Sequence, residues 1–263
     1  MTSTRSEAAA AVRIGAGLAL RKRAELLELL RPCFARTAPW PQAGKYTAAV
    51  MSELPERNGW SIARHAGDTT PAKTQRLLNH ASWDTFAAMG VVRRFAVAGL
   101  EEAARRGKRR GGLVIVAIDE TRQEKAGEAT AGVKRQYPGC AGRVASGINT
   151  VRLSYVRERI RHALIGARQW IPREHIQDPV KSLLTGLPLN LGFRTKGQLA
   201  IDISKDAADD GIRPDFYAGR GIRQLHRAAR APRSRRPGVR AAGTVDLHAH
   251  PGRRHETDLR GGG

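Results

Sequence analysis

Asp119 is the residue of this chain whose type and position best suit metal chemistry. It directly follows residues 113–118 (LVIVAI), six apolar and mostly β-branched residues that come after two glycines. Such a run predicts a central strand that is buried on both faces and ends at Asp119. A carboxylate at the end of a buried strand is held rigidly while it faces a crevice. A capping or ion-paired aspartate fits the same pattern, and the nearby Glu120 and Glu124 fit ordinary exposed positions.

Histidines and cysteines offer weaker candidates for a metal site. The segment HAHPGRRH contains His248, His250 and His255, but its arginines repel a cation and no ordered supporting residues are predicted around it. The two cysteines, Cys33 and Cys140, are far apart and have no second ligand at C-x-x-C spacing. We therefore predict two reduced intracellular thiols.

The charge of the chain identifies its partner. The 263 residues include 46 Lys and Arg against 24 Asp and Glu, which gives a formal net charge of +22. This balance predicts an extended polyanion, and double-stranded DNA is the first candidate. Phosphate neutralisation is common to ribosomal, nucleoid, nuclease and transposase proteins, so charge alone does not specify a reaction. With 41% hydrophobic residues, the chain has enough apolar side chains for one large domain or two small ones.

Several polar residues are predicted to contact DNA. A helix over residues 72–80 starts after Thr70 and Pro71, where the hydroxyl caps free amides and proline presets the backbone. This helix and a helix over residues 61–66 flank Gly67, and the pair either enters a major groove or packs as an ordinary helical subdomain. A second group lies in the basic run 105–110, which is either a phosphate contact or a solvated loop. The full set is Lys73, Gln75, Arg76, Arg105, Arg106, Lys108, Arg109, Arg110, Lys134 and Arg135.

The other predicted elements divide the chain into a helical part and a strand-containing part. Pro39 and Pro41 indicate a loop, and a long helix is expected from Ser82 or Trp83 to Gly107. Further helices are predicted over residues 18–31, 46–54 and 195–210, strands over 132–137, 148–156 and 215–218, and a loop-rich insertion over 170–188. Residues 8–20 are apolar but contain Arg13 and two glycines, so neither a signal peptide nor a membrane span is predicted. We expect a cytoplasmic, nucleoid-associated protein without a membrane partner.

Composition changes abruptly at residue 220. Residues 220–263 contain 11 Arg, no Lys and no aromatic residue, together with half of the eight histidines. A mixture of Arg, Ala, Gly, Pro and His without apolar periodicity cannot build a packed core. The sequence therefore predicts a disordered basic tail.

Five blocks of the chain resemble, in order, those of a bacterial insertion-sequence transposase family with a DDE endonuclease domain of the ribonuclease H-like type. They are residues 53–66 (ELPERNGWSIARHA), 67–80 (GDTTPAKTQRLLNH), 113–121 (LVIVAIDET), 132–147 (GVKRQYPGCAGRVASG) and 193–199 (FRTKGQL). The resemblance covers about residues 45–219. The combination of DET after a strand with V-x-R-Q-Y-x-G is its most specific part.

The resemblance implies that Asp119 is the first acid of a catalytic triad and a ligand of Mg²⁺ or Mn²⁺. In such enzymes carboxylates hold hard cations that activate a nucleophile and stabilise the leaving oxygen of phosphoryl transfer. The family's second acid follows the next strand in a G-D-E block, but here Gly219 is followed by Arg220. The third acid, a glutamate on a late helix, is expected in a region that this sequence does not contain. A reading-frame shift would explain why composition changes where the resemblance stops.

The expected fold class is α+β or α/β, with three regions. These are an N-terminal helical region (1–107) that binds DNA or forms a dimer, an incomplete ribonuclease H-like mixed sheet with helices (108–219), and the basic tail (220–263). The resulting hypothesis is a transposase that is truncated, inactive and weak or deficient in metal binding. The alternative is a non-catalytic basic protein that binds transposon ends or inhibits the full-length transposase. Either protein would have transposon-end DNA as partner, and possible protein partners are a second copy or the full-length enzyme.

Overall fold

A computed structural model describes residues 2–107, 112–125, 127, 130–136 and 144–219. The described helices are α1 (Thr2–Leu30), α2 (Pro39–Met51), α3 (Gly59–His65), α4 (Ala72–His80), α5 (Thr85–Arg106), α6 (Arg173–Gln177), α7 (Pro179–Leu184) and α8 (Lys196–Asp209). The strands are β1 (Val114–Glu124), β2 (Lys134–Gln136), β3 (Ala145–Arg157), β4 (Arg161–Trp170) and β5 (Phe216–Gly219). None of the described helices has an apolar stretch long enough to cross a bilayer. Four sequence predictions lie outside the described residues: the DNA contacts at Lys108, Arg109 and Arg110, the thiol of Cys140, the histidine segment and the disorder of residues 220–263.

Two of the N-terminal helices are longer than the sequence predicted. Helix α1 ends at Leu30, close to the predicted end, but begins at Thr2. The predicted loop at Pro39 and Pro41 is wrong, because α2 begins at Pro39. Proline is tolerated in the first turn of a helix, where its missing N–H has no intrahelical partner to lose. The predicted start of this helix at residue 46 was therefore several residues late.

Two turn residues flank α3: Asn58 precedes it and Gly67 follows it. Asn58 caps α3 by accepting hydrogen bonds from the amides of Trp60 (3.0 Å) and Ser61 (2.9 Å). Gly67 has a φ of +70°, a left-handed conformation that few other residues adopt without strain. The predicted α4 is confirmed over Ala72–His80, but the predicted Thr70 cap is wrong, since no side chain caps this helix.

Helix α5 begins at Thr85, slightly later than predicted. Asp84 caps it by accepting from the amides of Phe86 (3.0 Å) and Ala87 (2.9 Å). Trp83 instead forms a β-bridge with Phe34, and the two rings are 5.6 Å apart. The bridge holds Trp83 in an extended conformation and so excludes it from the helix.

The five described strands form one mixed sheet. Strands β1, β3 and β4 form an antiparallel meander with β3 in the middle. The short strand β2 pairs antiparallel with residues 145–147 of β3, and β5 pairs with β1 in parallel. The predicted end of β1 at Asp119 is wrong, because the strand continues to Glu124 with β3 paired along its whole length. Asp119 therefore lies within a strand and not in the loop after it.

Strand β4 and two short helices were not predicted. The sequence of β4 does not alternate cleanly because a bulge opposite Leu153 and Ser154 leaves the successive residues Ile165 and Gly166 both buried. Gly166 is required there, since an added Cβ would collide with the side chain of Ile203. Helices α6 and α7 lie in the segment predicted to be loop-rich, which is a correction to that prediction.

The core lies between one face of the sheet and the helices α5 and α8. Leu153, Ile165 and Ile203 are completely buried in it. Val116 and Ile118 of β1 also point to this face, whereas Ile115 and Ala117 on the opposite face are half-buried. Within the described chain, the prediction that β1 is buried on both faces is therefore correct for one face only. We call the opposite side the open face; its residues on β1 and β3 include Ala117, Asp119, Arg152 and Ser154.

Candidate active site and nucleic-acid surface

The main chain fixes Asp119 beside the end of the parallel strand β5. Gly219 of β5 pairs with Ile118, so Asp119 is the first residue of β1 beyond the described end of β5. Its side chain is exposed, and its Oδ1 accepts a hydrogen bond from the amide of Glu120 (2.8 Å). No other described residue forms a hydrogen bond or an ion pair with the carboxylate.

Glu120 does not join Asp119 in one acidic site. Successive side chains of a strand point to opposite faces, so Glu120 points to the side that carries the core. There its Oε2 lies 2.5 Å from Nζ of Lys196, the first residue of α8. The acid next to Asp119 in sequence is thus neutralised on the other face of the sheet.

A shallow depression on the open face surrounds Asp119. Arg152 lies directly opposite Asp119 on β3, and Ser154 lies two residues further along the same strand. Thr121 from β1 and His162 from β4 also line the depression. A carboxylate, a guanidinium, an imidazole and two hydroxyl groups therefore share one exposed surface.

The depression contains a carboxylate, which suits a hard cation, but too few carboxylates to hold the ion. Carboxylate oxygen is the ligand type that Mg²⁺ and Mn²⁺ prefer. The described residues, however, contain no group of three His, Cys, Asp or Glu side chains able to hold a metal ion. Among the described residues, Asp119 would be the one carboxylate available to a cation here, so no catalytic step through a metal follows from them.

Asp68 organises the helices that carry the predicted DNA contacts on α4. Its buried carboxylate accepts hydrogen bonds from Gln42 of α2 (2.8 Å) and from Lys45 and Lys73 (3.2 Å each). The Gln42 hydrogen bond, together with the two lysines, lowers the pKa of Asp68 to about 2, although desolvation opposes this shift. Lys73 is therefore part of an internal ion pair, while its side chain remains 69% exposed.

Gln75 and Arg76 are exposed on α4 and have no described partner. Arg76 also lines a depression between α2 and α4, together with Lys73, Arg36 and His80. Arg36 and His80 were not selected from the sequence, because they are 44 residues apart and only the helix packing brings them together.

The remaining predicted DNA contacts differ in whether they already form ion pairs within the protein. Arg105 and Arg106 both bind Glu102, at 2.6 Å and 2.5 Å, and this lowers the pKa of that carboxyl group. Lys134 binds Glu174 at 2.7 Å and lies over the ring of Trp170. Arg135 is exposed and has no partner among the described residues. The two arginines of α5 are exposed enough to exchange Glu102 for a phosphate, whereas Lys134 is more restrained.

Sequence reasoning missed Arg152, His162 and Lys196. Arg152 was visible only as one polar residue in an alternating strand, and nothing local connects it with Asp119, 33 positions earlier. The register of β1 and β3 makes that connection. His162 was missed because its strand was not predicted.

Comparison with known proteins gave one match. A family model described as DDE superfamily endonuclease matches residues 29–217, which is more than half of the chain. No curated protein and no solved structure matches the chain.

Proposed function

Since the chain belongs to the DDE superfamily endonucleases, we propose that it is a transposase-type protein that binds DNA but does not cut it. Enzymes of this superfamily act on DNA with divalent metals. In this chain Asp119 is the first metal-binding acid of that site. The second acid is replaced by Arg220.

The arrangement of strands supports a ribonuclease H-like catalytic domain. Strands β1, β3 and β4 form an antiparallel meander, and β5 returns parallel to β1 after helix α8. Parallel neighbours have their carboxyl ends at the same edge, so an acid on β1 and an acid directly after β5 would meet there. Asp119 holds the β1 position, and in the sequence the residue directly after β5 is Arg220, which lies outside the described residues.

The replacement of the second acid by arginine carries the proposal of inactivity. Two-metal phosphoryl transfer requires carboxylates that hold both cations against their mutual repulsion. A guanidinium cannot bind a cation, so Arg220 cannot supply the second carboxylate. A protein with this site retains DNA binding and loses strand cleavage and joining.

DNA binding is supported by the net charge of +22 and by the exposed polar surface of α4. Arg76 and Arg36 form a cationic surface suited to backbone phosphates, His80 adds an imidazole, and Gln75 is exposed on the same helix. In cells, a protein of this kind occupies transposon ends or pairs with the full-length transposase and inhibits it. Dominant inhibition of transposition would favour this non-catalytic role over a residual nuclease.

Mn²⁺ binding followed by electron paramagnetic resonance tests the proposed metal site. We expect weak binding by the parent chain and about tenfold tighter binding by Arg220→Asp, because a second carboxylate replaces a cation. Adding Asp119→Asn to Arg220→Asp should cancel the gain. Asp209→Asn removes an exposed carboxylate of α8 and serves as the matched control, with no expected effect.

A nicking assay on supercoiled DNA in Mg²⁺ or Mn²⁺ completes the test. The parent chain should leave the DNA intact, and Asp119→Asn should bind DNA as tightly as the parent. Nicking by the parent that disappears in Asp119→Asn would contradict the proposed inactivity. Equal Mn²⁺ affinity of the Arg220→Asp variants with and without Asp119 would contradict the metal site itself.

A further inference from the structure

Arg152 lies at the centre of the open face and has no partner among the described residues. It is exposed on β3, and it forms no hydrogen bond, ion pair or ring contact with any described residue. Most other arginines of the sheet are engaged: Arg122 binds Gln136 and Lys134, and Arg157 binds Glu101 at 3.0 Å. Arg135 and Arg161 also lack a described partner, but of these three arginines only Arg152 lines the depression around Asp119.

The position of Arg152 relative to Asp119 is fixed by the main chain. The two residues are direct partners in the antiparallel β1–β3 pair, and side chains at such positions have their Cβ atoms about 5 Å apart. Arg152 nevertheless forms no ion pair with Asp119. The guanidinium and the carboxylate are neighbours that leave each other's binding atoms free.

The groups beyond Arg152 are suited to an anion. Ser154 on β3 and His162 on β4 line the same depression and supply a hydroxyl and an imidazole N–H. Asp119 is the single acid that lines it. Its negative charge repels an anion from the β1 side, so an anion is favoured over β3 and β4. The planar guanidinium of Arg152 matches a phosphate through two parallel hydrogen bonds.

We propose that Arg152 binds a backbone phosphate of DNA next to Asp119 and so positions the strand on the open face. This inference rests on the proposed function, in which Asp119 is the first acid of the cleavage site. Arg152 is a positioning residue that holds the DNA strand in register with the acid. The ligand of Arg152 is a phosphodiester group of the DNA backbone, and the identity of the base has no part in the contact.

Salt-dependent DNA binding by the full chain tests the proposal. Fluorescence anisotropy with several 20-base-pair duplexes of unrelated sequence gives the slope of log K against log [KCl]. Loss of one phosphate contact in Arg152→Gln should reduce the magnitude of this slope by about 0.9 and weaken binding about fivefold to tenfold on every duplex. Arg152→Lys keeps the charge and should retain the parent slope, whereas Arg152→Glu should reduce the magnitude of the slope more than Arg152→Gln does.

Arg161→Gln is the matched control, because Arg161 is an exposed arginine of the same meander at the end remote from Asp119. Arg161→Gln should reduce the magnitude of the slope and the affinity by much less than Arg152→Gln does. Circular dichroism should give the parent spectrum for all variants. If Arg152→Gln misfolds, the test instead compares the parent and Arg152→Lys in their binding to duplexes that carry a single neutral methylphosphonate linkage. In that case one neutral linkage at the contacted phosphate should weaken binding by the parent more than binding by the lysine variant, because a lysine ammonium makes no bidentate contact.

The outcomes separate this inference from the proposed function. An unchanged slope in Arg152→Gln, or an equal loss in Arg161→Gln, would overturn the phosphate contact while leaving Mn²⁺ binding at Asp119 untouched. Failure of the Mn²⁺ experiment together with the expected loss in Arg152→Gln would leave a DNA surface without a metal site. A loss confined to one duplex sequence would also overturn the inference, because a phosphate contact is independent of base sequence.

Discussion

At the scale of single residues, burial separates structural acids from the acid available for chemistry. Asp68 is buried and accepts hydrogen bonds from Gln42, Lys45 and Lys73. Asp119 is exposed and accepts one hydrogen bond, from the adjacent amide. A carboxylate that is already fully bonded stabilises the fold, whereas one with a free oxygen can accept a metal ion.

Asp68 should give the helical region a specific sensitivity to acid. Its pKa of about 2 is below the ordinary value for Asp of about 4. The stabilisation is therefore complete above about pH 4 and is lost as the pH falls through 2. Asp68→Asn should lower the melting temperature at neutral pH and flatten its decrease between pH 4 and pH 2, as measured by circular dichroism. Asp209→Asn should retain the parent's pH profile, and a parallel decrease in Asp68→Asn and the parent would refute this role.

At the scale of secondary-structure elements, helices α5 and α8 hold the sheet from one side and are themselves joined. Asp210, directly after α8, binds Nε of Arg93 at 2.6 Å and Nη1 of Arg94 at 2.5 Å. The Arg93 side chain is only 5% exposed. Gly90 leaves space for the ion pair, since a Cβ there would lie 3.2 Å from the Arg94 guanidinium. Burial raises the pKa of Asp210, but the hydrogen bonds from the two arginines outweigh it, so the pKa is lowered.

Removing the Asp210 carboxylate should destabilise the protein strongly. Asp210→Asn leaves the Arg93 cation buried without a counter-charge, which should cost about 3 kcal/mol in the free energy of unfolding. Urea denaturation followed by tryptophan fluorescence measures this change. Asp209→Asn, one residue earlier and without a described partner, should change it by less than about 0.5 kcal/mol. Similar losses in the two variants would mean that the Arg93 pair does not stabilise the packing of α5 on α8.

At the scale of the whole molecule, the excess of cations dominates DNA binding. A net charge of +22 attracts the phosphate backbone and releases condensed counterions on binding. We expect binding of any duplex to weaken by about a thousandfold between 50 and 200 mM KCl. The measurement is fluorescence anisotropy with a labelled duplex, and sucrose at matched osmolality should have little effect. Equal affinity at both salt concentrations would contradict electrostatic binding.

The sequence by itself determined the features that depend on local patterns. The turn at Gly67, the apolar run before Asp119 and the helix over residues 195–210 follow from neighbouring residues. The family was also identifiable, because its blocks are local in sequence and the matching model covers residues 29–217. Charge requires no fold, so the nucleic-acid partner was predictable from composition.

Only the tertiary structure decided which residues share a surface. The sequence does not predict β4, because its bulge breaks the alternation of buried and exposed residues. It predicts too late a start for α2, because proline is typical both of loops and of the first turn of a helix. Strand register brought Arg152 beside Asp119 and turned Glu120 to the other face, where Lys196 neutralises it. A shift of one residue would reverse both assignments, because strand side chains alternate between faces. Register depends on long-range pairing, so the sequence supplied the acid of the proposed site, and only the fold supplied its neighbours.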